Sequence, residues 1–405
     1  MHLTFKPKLS SLLLALLCAA PLGCSDATED HAETDVIKNY AEMVTANYAD
    51  TLAGARALHE AIHEFTEQPS EAGLTEAKKA WLAARDPYGL SEAYRFYQGP
   101  IDNDDTDDDI PDGPEPLINS WPLDESYIDY VEGPSGDRLD GGIVNDVDAF
   151  PELDAETLAA ANTKNGESET SISTGYHAVE FLLWGQDHDV DGPGDRPYTD
   201  YVSGEEGTAE NQDRRAQYLL AISDLLVDDL SQVDEAWRPS KANYRADFLK
   251  LPARTALGKI LLGMGALAGA ELSHERMQVA YDLKDQEDEH SCFSDNTLAD
   301  LHNNASSVQN VLLGRYGALS GPGIVTLVEA KSPTLAKQLQ DEIQGVLDDI
   351  AAMKASGVPF DQIILQDDDS EGRVHLLAAI RGLGDFKDTL LEAADALGVE
   401  LDFAQ

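Results

Sequence analysis

Between residues 35 and 66, apolar side chains fall at Val36, Tyr40, Val44, Tyr48, Leu52, Ala55, Leu58, Ile62 and Phe65. Steps of three and four put them on one stripe, which predicts a single amphipathic helix. Pro69 and Ser70 break it, and the same period resumes through Trp81, Leu82, Tyr88 and Tyr94, completing a helical hairpin. From Gly99 to about Gly166 the period disappears and Pro, Gly and Asp dominate, although Trp121, Tyr127, Ile128 and Tyr130 imply that part of this excursion packs. Helical patterns return over 171–185, 211–237, 253–281, 300–316, 332–353 and 370–397.

Strand-like alternation is almost absent, so the expected class is all-α, two helical bundles with long irregular connections. The bundles are expected at 35–240, including the insert at 99–166, and at 241–405. The last two helices resemble the first two in length and amphipathicity. Gly258, Gly263, Gly265 and Gly269 interrupt the apolar run of one helix and predict close packing there.

The first residues decide the compartment. Lys6 and Lys8 precede an apolar run from Leu12 to Ala20, a secretion signal too short to span a bilayer. Leu22, Gly23 and Cys24 resemble a bacterial lipobox, with Pro21 where Leu is usual. The expectation is residues 1–24 as a lipoprotein signal, lipidation at Cys24, and 25–34 as a tether. Ordinary signal cleavage nearby is the alternative. The mature protein is then periplasmic or at the cell surface, on the outer membrane of a Gram-negative host because Ser25 rather than Asp follows the cysteine. Cys18 leaves with the signal, so Cys292 remains without an intramolecular disulfide partner. A formal charge of -48, from 76 acidic and 28 basic residues, excludes nucleic acid as a partner.

Two motifs could carry metal chemistry. His59, Glu60 and His63 have the H-E-x-x-H spacing, in which two imidazoles on one helical face hold zinc and the Glu acts as base. Both histidines flank the buried stripe, and no strand precedes the helix as it does in zinc peptidases, so a coincidence of an acid-rich helix is expected. Gly175, His177 and Glu180 have the pattern G-x-H-x-x-E. His and Glu at i and i+3 share a face and can jointly ligate a metal; the ordinary alternative is a surface pair. Tyr176, Val179, Phe181, Leu182, Leu183 and Trp184 surround them, which implies burial and hence a need for a partner or a metal.

With residues 81–102 before it, "GPGDRPYTDY" after it, and the later stretches "GMGALAGAELSHERM" and "DQEDEHSCFSDNT", this motif resembles the imelysin family, also called the insulin-cleaving membrane protease family, and its iron-regulated protein A branch. The resemblance covers nearly all of the chain from about residue 35. It implies two helical bundles with a site between them, export with a lipid anchor, and a role in iron uptake shared with EfeO-type iron-binding domains. A metallopeptidase activity is also implied by the family's classification, but no second motif His follows Glu180 and no complete catalytic constellation can be read. Glu92, Asp102 and Glu271 lie in the matched segments and would complete the shell around His177 and Glu180, with Arg95 and Arg254 as possible ion-pair partners. Carboxylates with one imidazole suit iron or zinc.

Residues 101–116 and the half calcium loop Asp187, Asp189, Asp191, Gly192 offer oxygen ligands for weak calcium binding, with Tyr198 where an EF-hand places its closing Glu. Ser291, Cys292 and Ser294 near His290 and His302 invite a nucleophile reading, but Asp295 is expected to cap the next helix and Cys292 to be a small buried residue. The resulting expectation is an exported lipoprotein binding a metal ion or metal complex, beside an iron transporter or receptor. An imelysin-type peptidase and an acidic structural or adhesive surface protein are the alternatives.

Overall fold

A computed structural model describes residues 25–104, 112–162, 170–188 and 192–401, with side chains from residue 31 onward. The signal, Cys24, residues 105–111 of the acidic loop, and Asp189 and Asp191 of the calcium half-loop lie outside the described residues.

The protein is all-α. The helices of eight or more residues among the described residues are α1 Ser25–Glu67, α2 Glu71–Gly89, α3 Gly175–Trp184, α4 Gln212–Trp237, α5 Ala253–Leu283, α6 Thr297–Leu313, α7 Ile324–Lys331, α8 Pro333–Ser356 and α9 Glu371–Leu397. Two small antiparallel ribbons, Val131–Glu132 with Arg138–Leu139 and Arg315–Tyr316 with Leu319–Ser320, are its β-structure there.

The helix of the first apolar stripe ends at Glu67, and Ser70 caps α2 by accepting from the Gly73 backbone at 3.1 Å. Residues 25–34, read above as a tether, are helical and run into α1. α2 stops at Gly89, before the period does. Glu92–Tyr94 form a separate tight turn held by the Ser307 hydroxyl, which accepts from Ala93 N at 2.9 Å.

α1, α2 and α4 pack side by side, with α3 against α2 and α4; α8 and α9 pack together with α5 and α6 beside them. α6 also meets α2, and α5 meets α1, so one apolar core runs unbroken from Val36 to Val399. Within α5, Leu267–Gln278 widens into a π-helix, a geometry that is rare and favours functional positions. Its wider turn brings Glu271 and Arg276, five residues apart, to 2.8 Å. Gly263 is where α5 needs no side chain, since a Cβ there would strike the Ala93 carbonyl oxygen at the turn carrying Glu92.

The excursion after Gly99 is folded where it is described, in short helical turns such as Glu115–Ile118 and Glu125–Ile128. Ile118 and Ile128 are fully buried. Buried Asp129 ties it to the bundle, accepting from Arg196 at 2.9 Å and from Arg215 at 2.5 Å.

Candidate metal centre

Every residue of α3 is buried, so its polar side chains have to find partners within the protein. Gly175 starts the helix at a φ of +84°, and a Cβ there would collide with the Ile118 carbonyl. The glycine of the motif therefore fits α3 closely under the excursion and fixes where His177 and Glu180 lie.

His177 Nδ1 stands 3.0 Å from Glu180 Oε2, both side chains fully buried. Glu180 Oε1 accepts from the Ser294 backbone N–H at 3.0 Å and the Ser294 hydroxyl at 2.6 Å, so both its oxygens are engaged. His177 Nε2 is buried with no hydrogen-bond partner. The Trp121 and His290 rings flank the imidazole at 4.8 and 4.9 Å between centroids. His290 in turn directs Nδ1 at Asp300, 3.3 Å away, while Asp300 accepts from Arg85 at 3.1 Å and from the Ser291 hydroxyl at 2.6 Å. Arg85 also donates to Asn119 Oδ1 at 2.6 Å.

The electrostatics follow from burial. Desolvation pushes the Glu180 carboxyl up to about 8 despite the Ser294 donors and Arg85. It pushes the His177 imidazole well below its ordinary range, reinforced by His290 and Arg85. His290 falls to about 4 through burial and the nearby Arg276. Burial alone would raise Asp300, but Arg85 overrides it and holds the carboxyl far below the usual carboxylate range. Both imidazoles are therefore neutral at ordinary pH, the form in which a ring nitrogen offers a lone pair.

A cavity of about 430 Å³ opens beside this cluster, with His290, Trp121, Arg95, Arg276, Glu271 and Glu287 in its lining. Glu92 lies buried nearby, 2.9 Å from Arg95 and 2.8 Å from Arg276, and these arginines overcome desolvation and hold it at about 2. Glu271 pairs with Arg276 at 2.8 Å and lines the cavity. Asp102 is elsewhere in role: its carboxylate accepts from the backbone N–H groups of Phe96 and, at 3.1 Å, Gly99, stitching a turn in which Phe96 has a φ of 69°. Arg254 donates to the Gly398 carbonyl at 2.7 Å.

Of the residues singled out in the sequence, the fold brings His177, Glu180, Glu92 and Glu271 into one neighbourhood, the last two as arginine partners. Among the described residues, no group of three or more His, Cys, Asp or Glu side chains is arranged to hold a metal. The donor chemistry fits a metal that takes imidazole nitrogen here and brings part of its own shell. At the other motif, His59 Nδ1 meets the Ser223 hydroxyl at 2.9 Å, and exposed His63 lies 3.9 Å from Glu67. The loop after α5 also differs from expectation. The residue at the cap position of α6 is Asn296, not Asp295, which adopts a φ of 55°. Cys292 is buried, as expected. Ser294, His290, Asp300 and Arg85 lie far from α3 in sequence: Arg85, His290 and Ser294 fall in matched stretches without having been assigned to this site, and Asp300 lies outside them.

A helical protein with a buried histidine and glutamate on a glycine-started helix, enclosed by segments from both halves of the chain, defines the class. The chain belongs to the imelysin family: residues 44–390 match the family described as Imelysin, Peptidase M75. It is 21% identical over 311 residues to "Iron-regulated protein A" of Synechococcus elongatus, covering 74% of this chain and 70% of that protein. Its fold is similar to the crystal structure of a putative iron-regulated protein A precursor from Parabacteroides distasonis, with a TM-score of 0.65, 19% identity, and coverage of 91% of this chain and 95% of that one. An imelysin-like protein from Psychrobacter arcticum matches with a TM-score of 0.63 at 15% identity, over 92% of this chain and 98% of that one.

Proposed function

We propose that this protein binds a metal ion or small metal complex at His177, outside the cytoplasmic membrane, as a lipid-anchored component of iron acquisition. The observation that carries the reading is the unpartnered, fully buried Nε2 of His177. A buried polar atom without a partner costs roughly 1–3 kcal/mol, and a metal would supply what the protein withholds. Nδ1 faces Glu180, which in its ionised form, the one a bound cation favours, fixes the tautomer of a metal-binding imidazole.

Glu180 is in this reading a positioning group and not a direct ligand, because Ser294 and His177 already occupy its oxygens. Glu92 is likewise an internal counter-ion for Arg95 and Arg276, and Asp102 a turn-former. Iron as the cargo rests on the similarity to the iron-regulated protein A of Synechococcus elongatus; export and lipidation rest on the signal and Cys24. A membrane anchor would hold the loaded protein beside a transporter or receptor.

Equilibrium dialysis of the purified protein against ferrous, ferric and zinc ions, with His177→Ala alongside, tests the binding. One metal per chain is expected for the wild type and none for the variant, at unchanged far-ultraviolet circular dichroism. Equal uptake by both would remove His177 from the site. Cys24→Ala should move the protein from the membrane to the soluble fraction of its host; continued membrane association would refute the lipid anchor.

A further inference from the structure

We propose that His290 is the second imidazole of the metal site and its entrance, so that the site takes a borderline divalent cation such as ferrous iron or zinc on two ring nitrogens. The proposal rests on the reading of His177 above. Water or a small chelator fills the rest of the shell.

The two imidazoles are dressed alike. His177 turns Nδ1 to Glu180 at 3.0 Å, and His290 turns Nδ1 to Asp300 at a longer 3.3 Å. Each carboxylate is itself pinned, Glu180 by Ser294 and Asp300 by Arg85 and Ser291. An ionised carboxylate at Nδ1 keeps the proton there and leaves Nε2 as the metal-binding nitrogen, the usual outer-shell arrangement of histidine ligands, and a bound cation favours the ionised form of Glu180 over the protonated one that burial favours.

Their placement also suits a shared ion. The ring centroids lie 4.9 Å apart with the planes at 82°. Two imidazoles bound at about 2.1 Å have centroids roughly 4.6–5.3 Å apart for ligand angles between about 90° and 109°. The observed spacing falls inside that interval.

Access distinguishes the two rings. His290 lines the cavity of about 430 Å³, whereas His177 is absent from its lining and fully buried. An ion arriving through the cavity therefore meets His290 first. Glu115, Glu271, Glu275, Glu287 and Asp288 line the same cavity against Arg95 and Arg276, so its formal balance attracts cations.

The remaining donors set the class of metal. The buried carboxylates beside the two rings are engaged, Glu92 by two arginines and Asp300 by a third, so the acids lining the cavity attract the ion while the two ring nitrogens are the protein ligands assigned to it. Imidazole donors favour ferrous iron, zinc and their neighbours in the first transition row.

Cobalt(II) is the probe, because its visible absorption reports its ligands. The purified wild type, His177→Ala, His290→Ala and His290→Gln are titrated with cobalt(II), then challenged anaerobically with ferrous iron and with zinc. The expected result is a 1:1 visible spectrum in the wild type and at least a tenfold weaker affinity in both His290 variants, with ferrous iron and zinc displacing cobalt from the wild type. His290→Gln keeps a side chain able to donate to Asp300, and proton NMR of the wild type must show paramagnetic displacement of two histidine resonances. Tight binding by both His290 variants together with loss in His177→Ala overturns the second ligand and leaves the first. A single displaced histidine in the wild type does the same. Absence of cobalt, ferrous and zinc binding in the wild type overturns the underlying reading and this proposal with it.

Discussion

The His–Glu motifs of α1 and α3 both rest on helical spacing, and their surroundings make them different objects. In α1, His59 is half-buried and spends Nδ1 on a serine hydroxyl, while Glu60 and His63 face solvent. In α3, His177 and Glu180 are fully buried, one carboxylate oxygen is fixed by two donors, and one ring nitrogen is left without a partner. Motif α1 is the better-known signature; motif α3 has the physical conditions for a site. Spacing puts side chains on one face, whereas desolvation decides whether an unmet valence remains there.

The contrast can be broken at its foundation by Gly175→Ala. A positive φ and a collision with the Ile118 carbonyl should destabilise the fold by about 3–5 kcal/mol, read from urea unfolding midpoints. A change below about 1 kcal/mol would mean that α3 is not held in this register.

Glu180→Gln should weaken metal binding by about 10–100-fold, as loss of an outer-shell partner does, while the unliganded fold persists. The corresponding change in α1, Glu60→Gln, should leave metal uptake unchanged. Isothermal titration of both variants compares the two helices directly.

Asp229 on α4 is a third case, burial without an imidazole. Only 4% of it is exposed, Oδ2 has no partner, and burial with the adjacent Asp228 lifts its carboxyl to about 7. A carboxyl raised in the folded state contributes its full stability below the unfolded value, about 3.8, and loses it as pH rises toward 7. Asp229→Asn should therefore flatten the stability profile between those values and be more stable than wild type at pH 8 by roughly 2 kcal/mol. Metal affinity should not change. A parallel loss in both proteins would place the pH dependence elsewhere.

The smallest effects belong to α1. His59→Ala should cost about 1 kcal/mol through its bond to Ser223. His63→Ala, removing an exposed pair 3.9 Å from Glu67, should stay within about 0.5 kcal/mol. Thermal unfolding resolves the two.

The helical fold was legible because long apolar stripes at a period near 3.6 are local signals, and the stripe from Val36 to Phe65 is buried as its spacing required. The end of α2 was less legible. The period runs on to Tyr94, but Gly89 and the contact of Ala93 with Ser307 on α6 stop the helix earlier, and that partner lies more than two hundred residues away. The buried His177–Glu180 pair of the candidate site was legible as two polar residues in a hydrophobic run. Its supports were not: Ser294 reaches Glu180 across 114 residues of chain, and Asp300 is fixed by Arg85 across 215. Glu92 and Asp102 looked alike as acids in matched segments, and only packing separates a counter-ion for Arg95 and Arg276 from a carboxylate that folds a turn.

The most direct test sets the two helices against each other. Ferrous and zinc affinity is measured by anaerobic competition titration on wild type, His177→Ala and His59→Ala, each verified as folded. The account predicts one site per chain, lost in His177→Ala and intact in His59→Ala. Loss in His59→Ala with retention in His177→Ala would contradict it and return the metal to α1.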